Sequence, residues 1–434
     1  MQDDHRATIR ELSDRLIEAQ AEIRVLDAVK WTDDIRDQFF ASKYKEQPAV
    51  DADYYERNPL KFDADEVRDR FIALETEIAT QLGSVTAASQ LLRRTCEQYR
   101  LTIDMLVARG KPSFGSYATL LYGTPDEVFH AGGPTVIDLA ESLEESLSAL
   151  EPSLLIDTSA HELDAQAAVA DLQARLDSSM GAGAVDVRLD DGLVADAAAG
   201  STYIKLRSDA TFSPQDLATL EAHEGWVHVG TTRNGLAQPW CNFLGKAAPP
   251  ATVTQEGLAT LTEMFALRSH PGRLRRIANR VRGVALVLDG ATFVDLFEFF
   301  RTEGLTEDEC WSIAARIFRG STPTGPPFTK DLAYGKGLVL SYVYVRLALR
   351  QGAPTAFPCC SAARSISRPW AWSIICSTKD CSSRRSSSPE PFRDLEALTA
   401  QIRVPAGSCA TSTSTSSNRS TASCCERSRS YCGR

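Results

Sequence analysis

The chain reads as an α+β protein rich in helix. Apolar residues recur at helical spacing through most of the first 180 positions. Two short alternating segments follow, at 185–189 and 203–207, before helical spacing resumes to about residue 350. Three regions are therefore expected: a helical N-terminal region over 1–180, a mixed region with a small sheet over 181–352, and a low-complexity tail over 353–434.

In the first region, Ile9, Leu12, Leu16 and Ile17, then Ile23 and Leu26, mark one amphipathic stretch. Phe71, Leu74, Ile78 and Leu82 form a second stripe, and Leu91, Leu92, Tyr99, Ile103, Leu106 and Val107 a third. Gly110-Lys111-Pro112 stops that helix, and two more are expected at 135–150 and 163–178. These stripes are core packing. In the mixed region the two alternating segments flank Gly192 and Gly200 and are expected to pair as an antiparallel ribbon. On the second of them Tyr203, Lys205 and Arg207 share one face, and Ile204 and Leu206 the other.

Ser213 opens the next helix as a cap, with Pro214 at the first helical position and Asp216 at the positive end of the dipole. Another helix is expected from Thr252, with Gln255 completing a capping box, to about residue 269. Further helices are expected at 273–283, 291–302, 307–318 and 334–350.

Composition bounds the partners. With 434 residues, 43% hydrophobic and 24% charged, the chain fits an ordinary soluble protein of one large or two smaller domains. A formal net charge of −10 argues against nucleic acid as a partner. No uninterrupted apolar run approaches membrane-spanning length, the stretch at 284–297 being broken by Asp289 and Asp295, so no membrane partner is expected. The N-terminus lacks the apolar core of a secretory signal, so a cytoplasmic location is expected. Only Cys96, Cys241 and Cys310 precede residue 353, which suits a reduced compartment. The last 82 residues hold the other eight cysteines and 19 serines, with no hydrophobic period, so disorder is expected there. Most of this tail reads as out-of-frame translation, with ordinary protein sequence returning briefly at 391–398. It has no histidine and no zinc-ribbon spacing. Oligomeric state is left open.

The chemistry concentrates in Glu221-Ala222-His223-Glu224-Gly225-Trp226-Val227-His228, followed by Gln255-Glu256-Gly257-Leu258-Ala259 on another expected helix. A catalytic zinc takes three protein ligands and keeps a position open, and two imidazoles with one carboxylate meet that need. The histidines are five apart rather than the usual four. At about 100° per residue, five steps leave them roughly 140° apart on an ideal α-helix, facing away from any common ion. A π-type turn with i→i+5 bonding returns them to one face, and Gly225 lies inside that turn. A metal site therefore requires this helix to bulge. On spacing alone, the same residues are equally readable as satisfied core or surface groups.

These residues resemble a known family: the proteins named for their Gln-Glu-Gly-Leu-Ala motif, which include the microtubule-associated tyrosine carboxypeptidases. That motif stands intact at Gln255 to Ala259. The resemblance extends to Thr232-Arg233-Asn234-Gly235, to Met105-Leu106-Val107-Ala108-Arg109-Gly110 and to Leu121-Tyr122-Gly123. Arg316-Ile317-Phe318-Arg319-Gly320 and Phe328-Thr329-Lys330-Asp331-Leu332-Ala333-Tyr334 belong to it as well. It covers roughly residues 10–352 and stops at the tail, where the family continues with ordered helical sequence. The resemblance implies a zincin-like catalytic domain with Zn2+ as cofactor. It makes His223, His228 and Glu256 the ligands and Glu224 the catalytic base. The implied reaction removes a C-terminal residue from a peptide or protein, its identity unspecified.

Such a reaction needs a cation for the terminal carboxylate and a donor for the oxyanion. Lys205, Arg207, Arg316, Arg319 and Lys330 are candidates for the first role, and Tyr334 for the second. The 203–207 strand, read as a sheet edge, offers an extended peptide a place to align. Glu263 and Asn234 are candidates to orient the imidazoles. The competing reading is a non-catalytic binding protein that retains the zinc site; an endopeptidase is a third.

Overall fold

The computed structural model describes residues 2–151, 161–191, 193, 195–246 and 248–350. The tail at 353–434, with its eight cysteines, lies outside the described residues. Helices dominate, and two small sheets interrupt them, so the α+β expectation holds. Among the described residues no helix is long and apolar enough to cross a membrane.

The expected stripes form helices at Gln2–Ala19, Ala64–Leu82 and Ala87–Val107, each burying its apolar face. Thr86 caps the last of these through its side chain, and Asp63 caps the one before. Three further helices, Asp33–Ala41, Ala52–Arg57 and Ser113–Tyr122, were not legible as stripes. They are short, and their aromatic residues serve packing rather than a regular period. Phe39, for example, packs edge-on against Phe293 and Phe297, at 5.1 and 5.0 Å between centroids.

Two cores tie the first half of the chain to the second. One runs from Ile9, Phe71 and Ile103 to Val227, Leu258 and Phe328. The other joins Trp31, Phe39 and Tyr55 to Val284, Phe297 and Phe318. A third, smaller core lies under the sheet, where Leu172 and Leu176 of helix Ala165–Met180 meet Val187, Ile204 and Leu206.

The strands depart from the expected ribbon. β1 (Leu163–Asp164) pairs antiparallel with β5 (Thr211–Phe212). β2 (Asp186–Asp190), β3 (Ala197–Ala199) and β4 (Tyr203–Arg207) form a sheet in the order β2-β4-β3. β2 and β4 pair parallel, with Val187 opposite Ile204, and β3 pairs antiparallel to β4. The reason is the alanine run. It has weak strand propensity and no alternation, so the sequence hides it. Once it forms, the chain reverses twice between β2 and β4 and must return to its first direction. β4 is consequently the central strand, not an edge; the free edges belong to β2 and β3. The faces of β4 are as expected: Ile204 and Leu206 are buried, and Tyr203, Lys205 and Arg207 are part-exposed.

Ser213 caps helix Pro214–Leu220 in a capping box with Asp216. The expected capping box at Thr252 does not form. A 3-10 turn, Pro249–Ala251, leads directly into helix Thr252–Phe265, and no side chain caps it. The Gln255 side chain is turned to the neighbouring histidine helix instead, where Thr231 Oγ1 donates to its Oε1 at 2.8 Å.

Helix Thr252–Phe265 crosses helix Leu332–Arg350 with almost no room between backbones. A Cβ on Gly257 would fall 2.0 Å from the Gly337 carbonyl carbon, and one on Gly337 would fall 1.9 Å from the Val253 carbonyl oxygen. Neither neighbour is a side chain that can swing away. Gly337→Ala should therefore destabilise the protein by about 1–3 kcal/mol or more. Gly335→Ala, two residues away, meets Val281 Cγ2 at 3.4 Å and Ile277 Cγ2 at 3.9 Å, ordinary contacts, and should be neutral or stabilising by up to about 1 kcal/mol through helix propensity. Denaturant midpoints of the two variants beside wild type check the opposite signs.

Candidate metal centre

The helix that Ser213 starts changes character after about two turns. Residues Glu221–Val229 form a π-helix, and α-helix resumes at Gly230–Leu236. The bulge required for convergent histidines is present. Side chains on both faces hold it open. Trp226 Nε1 donates to Ser179 Oγ at 3.2 Å, and the Arg268 guanidinium lies 4.4 Å from the Trp226 ring centroid. Arg268 also pairs with buried Glu221 at 2.5 Å. Thr231 and Thr232 donate to the carbonyls of Val227 and His228 at 2.6 and 2.7 Å. Gly225 does more than ease the turn. A Cβ there would meet Leu176 Cδ2 at 2.4 Å, so the bulge also presses against helix Ala165–Met180.

The bulge brings the rings of His223 and His228 to 4.7 Å between centroids, nearly perpendicular. Glu256 reaches them from helix Thr252–Phe265. Its Oε2 lies 3.3 Å from His223 Nε2 and 3.6 Å from His228 Nε2. These contacts lack hydrogen-bond geometry, and Oε2 is buried without a hydrogen-bond partner. One atom from each residue falls within 4.8 Å of the others. Ligands about 2.0–2.2 Å from a tetrahedral zinc sit roughly 3.3–3.5 Å apart, close to the two distances from Glu256 Oε2 to the imidazoles. Glu256 Oε2, buried and without a hydrogen bond between two imidazole nitrogens, has a lone pair free for a cation once His223 gives up its proton. The residues present therefore fit a divalent metal.

The far sides of the ligands are fixed. His223 Nδ1 lies 2.5 Å from Glu263 Oε1, which directs its other nitrogen to the centre. Glu263 is itself fully buried and accepts two bonds from Arg273, at 2.5 and 2.6 Å. His228 Nδ1 lies 3.4 Å from Gln255 Oε1, and Lys330 Nζ lies 3.4 Å from Glu256 Oε1. Charge follows this wiring. Burial alone would lower the His223 pKa, but the Glu263 and Glu256 carboxylates outweigh it and raise it to about 10. Burial would raise Glu256, yet Lys330 and the two histidines hold it well below the usual carboxylate range.

A second cluster adjoins the first. Lys330 touches Glu256, and its neighbour Asp331 is buried among arginines. Arg316 donates to both Asp331 oxygens at 2.6 and 3.0 Å. Arg319 and Arg280 approach the same carboxylate at 3.7 and 3.8 Å. Tyr334 lies between the clusters, with Arg280 4.9 Å and Lys330 5.8 Å from its ring centroid. Burial, together with the Glu256 charge, pushes its phenol above the ordinary value.

Of the residues singled out from sequence, His223, His228, Glu256, Lys330, Tyr334, Arg316 and Arg319 are gathered here. Glu224 is half-buried on the π-helix, and its charge acts on His223 and Arg273. Lys205 and Arg207 are engaged on the sheet: Lys205 with Asp190 at 2.5 Å, and Arg207 with Asp196 and Asp209 at 3.0 Å each. Arg273 and Arg280 escaped notice in the sequence. The available signal was their spacing, since Arg273, Arg276 and Arg280 repeat on one face of helix Pro271–Leu288.

The fold and site thus define a helix-rich α+β protein with a two-histidine, one-glutamate group suited to a metal. The microtubule-associated tyrosine carboxypeptidase family matches residues 37–361, and the chain belongs to that family. None of the curated proteins matches the chain.

Asp331 anchors the second cluster, and the Arg316, Arg280 and Arg319 charges overcome its burial to depress its pKa below the ordinary 3.8. A depressed carboxylate contributes stability above the unfolded value, and that stability is lost as pH falls through the folded one. Asp331→Asn should cost about 3–5 kcal/mol at pH 7 by stranding buried guanidinium groups. The gap from wild type should narrow as pH drops below about 4. Urea unfolding at pH 7 and pH 3 checks both statements.

Proposed function

We propose that the chain is a zinc metallopeptidase that removes the C-terminal residue of a peptide or protein. The observation that carries this reading is the convergence of His223 Nε2, His228 Nε2 and an unsatisfied Glu256 Oε2. Family membership supports the carboxypeptidase assignment, and the family's printed name makes a terminal tyrosine the first substrate to try. The catalytic part, zincin-like in its pairing of a histidine helix with a small sheet, spans 181–352. The helices of 1–180 are its scaffold. Zn2+ is the proposed cofactor, and the partner is a polypeptide C-terminus rather than nucleic acid or membrane.

Bound at this site, zinc would lower the pKa of a water molecule and polarise the scissile carbonyl. Glu224, next to His223 and outside the ligand set, takes the water's proton and delivers it to the leaving amine. Glu263 holds His223 through Nδ1, and Arg273 keeps that carboxylate charged. Lys330 keeps Glu256 ionised and oriented. Tyr334, its phenol kept protonated by burial, donates to the developing oxyanion. The cations gathered at Asp331, Arg316 and Arg319 among them, are the candidates to meet a substrate's terminal carboxylate. Lys205 and Arg207 keep a place in the proposal only as flanking contacts, since each already has an acidic partner.

Metal content by mass spectrometry on the purified full chain tests the reading first. Wild type should carry close to one zinc per chain, and Glu256→Ala should lose it. Glu224→Gln should retain zinc and lose about 10²–10⁴-fold in release of a C-terminal residue from a peptide library. A folded wild type without zinc would sink the mechanism and leave a binding protein as the better reading.

A further inference from the structure

The helix that carries Glu256 ends in a turn that reaches back to the histidine helix. Leu267 N–H donates to the Met264 carbonyl at 3.1 Å, and Arg268 N–H to the Glu263 carbonyl at 2.8 Å. That pair of bonds is a Schellman cap, and Leu267 takes its left-handed position, with φ 55°. Glycine usually fills that place, because a Cβ there is strained. The Leu267 side chain is 84% exposed, so its packing does not hold the turn. The contacts of Arg268 do. Its carbonyl accepts from Gln215 Nε2 at 2.9 Å and from Thr219 Oγ1 at 2.7 Å. Its Nη1 donates to the Ala218 carbonyl at 3.1 Å and to Glu221 Oε2 at 2.5 Å, and its guanidinium lies over the Trp226 ring. Gln215, Ala218 and Thr219 belong to helix Pro214–Leu220, and Glu221 and Trp226 to the π-helical segment. One residue thus bonds both sides of the junction where α-helix gives way to the wide turn.

We infer that Arg268 is a positioning residue for the candidate metal centre: it sets where the π-helical segment, and His223 with it, stands against Glu256. The inference rests on the metallopeptidase reading and adds a residue outside both the ligand set and the Gln-Glu-Gly-Leu-Ala motif. The route from Arg268 to the centre is short on both sides. Glu263, whose carbonyl takes the Arg268 N–H, holds His223 Nδ1 with its carboxylate. Glu221, which takes the guanidinium, precedes His223 by two residues on the π-helical segment. The cap of the glutamate helix therefore reaches the His223 ring through the histidine's own backbone and through Glu263. A guanidinium suits this place. Its flat face lies on an indole while its edge donates to a carbonyl and a carboxylate, which an ammonium cannot do at once. Glu221 is buried, so its charge needs a partner that stays. Metal affinity depends on ligands that are gathered in advance, because any movement needed to gather them is subtracted from binding.

The test compares wild type, Arg268→Ala and Arg268→Lys, each as the full chain. Zinc affinity is read by chelator competition, and ligand geometry by the visible bands of the Co2+-loaded protein. Arg268→Ala should weaken zinc by about 10–100-fold and change the cobalt bands. Arg268→Lys keeps a charge for Glu221 without the plane for Trp226, and should fall between alanine and wild type. Arg109→Ala is the control for stability alone. Arg109 is also buried, but its partners are the Leu106 and Ala28 carbonyls and the Tyr55 ring, none of them on either ligand helix. That control should lower the melting temperature and leave zinc affinity and cobalt bands as in wild type. Wild-type affinity in Arg268→Ala would overturn the inference, as would an equal loss in Arg109→Ala. If Arg268→Ala does not fold, the lysine variant decides: folded, with wild-type affinity, it overturns the inference by itself. A wild type that takes neither zinc nor cobalt removes the metal reading and this inference together. A wild type that takes zinc with an affinity indifferent to residue 268 removes this inference alone.

Discussion

Two imidazoles five residues apart on a helix meet one carboxylate only where the backbone between them leaves the α-helical path. The π-helical segment Glu221–Val229 is that departure, and the rest of the site is arranged around it. A wide turn is less stable than the α-helix it replaces, so tertiary contacts must hold it. Trp226 is held on one side by Ser179 and Arg268, His223 on the other by Glu263, and Leu176 fills the space that a side chain at Gly225 would need. The ligand geometry is therefore a property of packing among helices, not of the histidine segment alone.

The glutamate helix is positioned by the same logic. Gly257 and Gly337 let two backbones approach to a distance no side chain permits, and this seats Glu256 between the histidines and Lys330. The Gln-Glu-Gly-Leu-Ala motif then divides by role. Gln255 reaches His228 and Thr231, Glu256 faces the centre, Gly257 makes the close crossing, and Leu258 and Ala259 enter the core shared with the N-terminal helices. A five-residue motif of mostly small and uncharged groups couples the chemistry to the scaffold.

Much of this was legible in the residues and some was not. The five-residue histidine interval demanded a bulge if the two rings were to share an ion, because at about 100° per residue an α-helix turns them apart. Ser213-Pro214-Asp216 announced its helix, and Glu263 announced itself as a support by its distance along the helix from Glu256. The alanine strand was illegible because strand propensity and alternation both fail there, and with it went the parallel pairing and the central position of β4. Gln255 was misread as a cap because a local hydrogen bond is the only partner a linear sequence can offer it. Its real partners arrive from 24 and 27 residues away. Arg273 and Arg280 went unnoticed for the same reason: on a surface helix an arginine stripe is solvated, and only tertiary burial turns it into part of a site.

Charge explains why the two clusters adjoin. Around the centre the buried or part-buried carboxylates of Glu256, Glu263 and Asp331 face Lys330, Arg273, Arg316, Arg280 and Arg319. The cations exceed the carboxylates even before a divalent metal enters. The same excess keeps Glu256 ionised in the absence of metal, since Lys330 and the histidines together overcome its burial. Glu256 is thus charged with no metal present, and the group that could hold a cation needs no change of protonation at its carboxylate to do so.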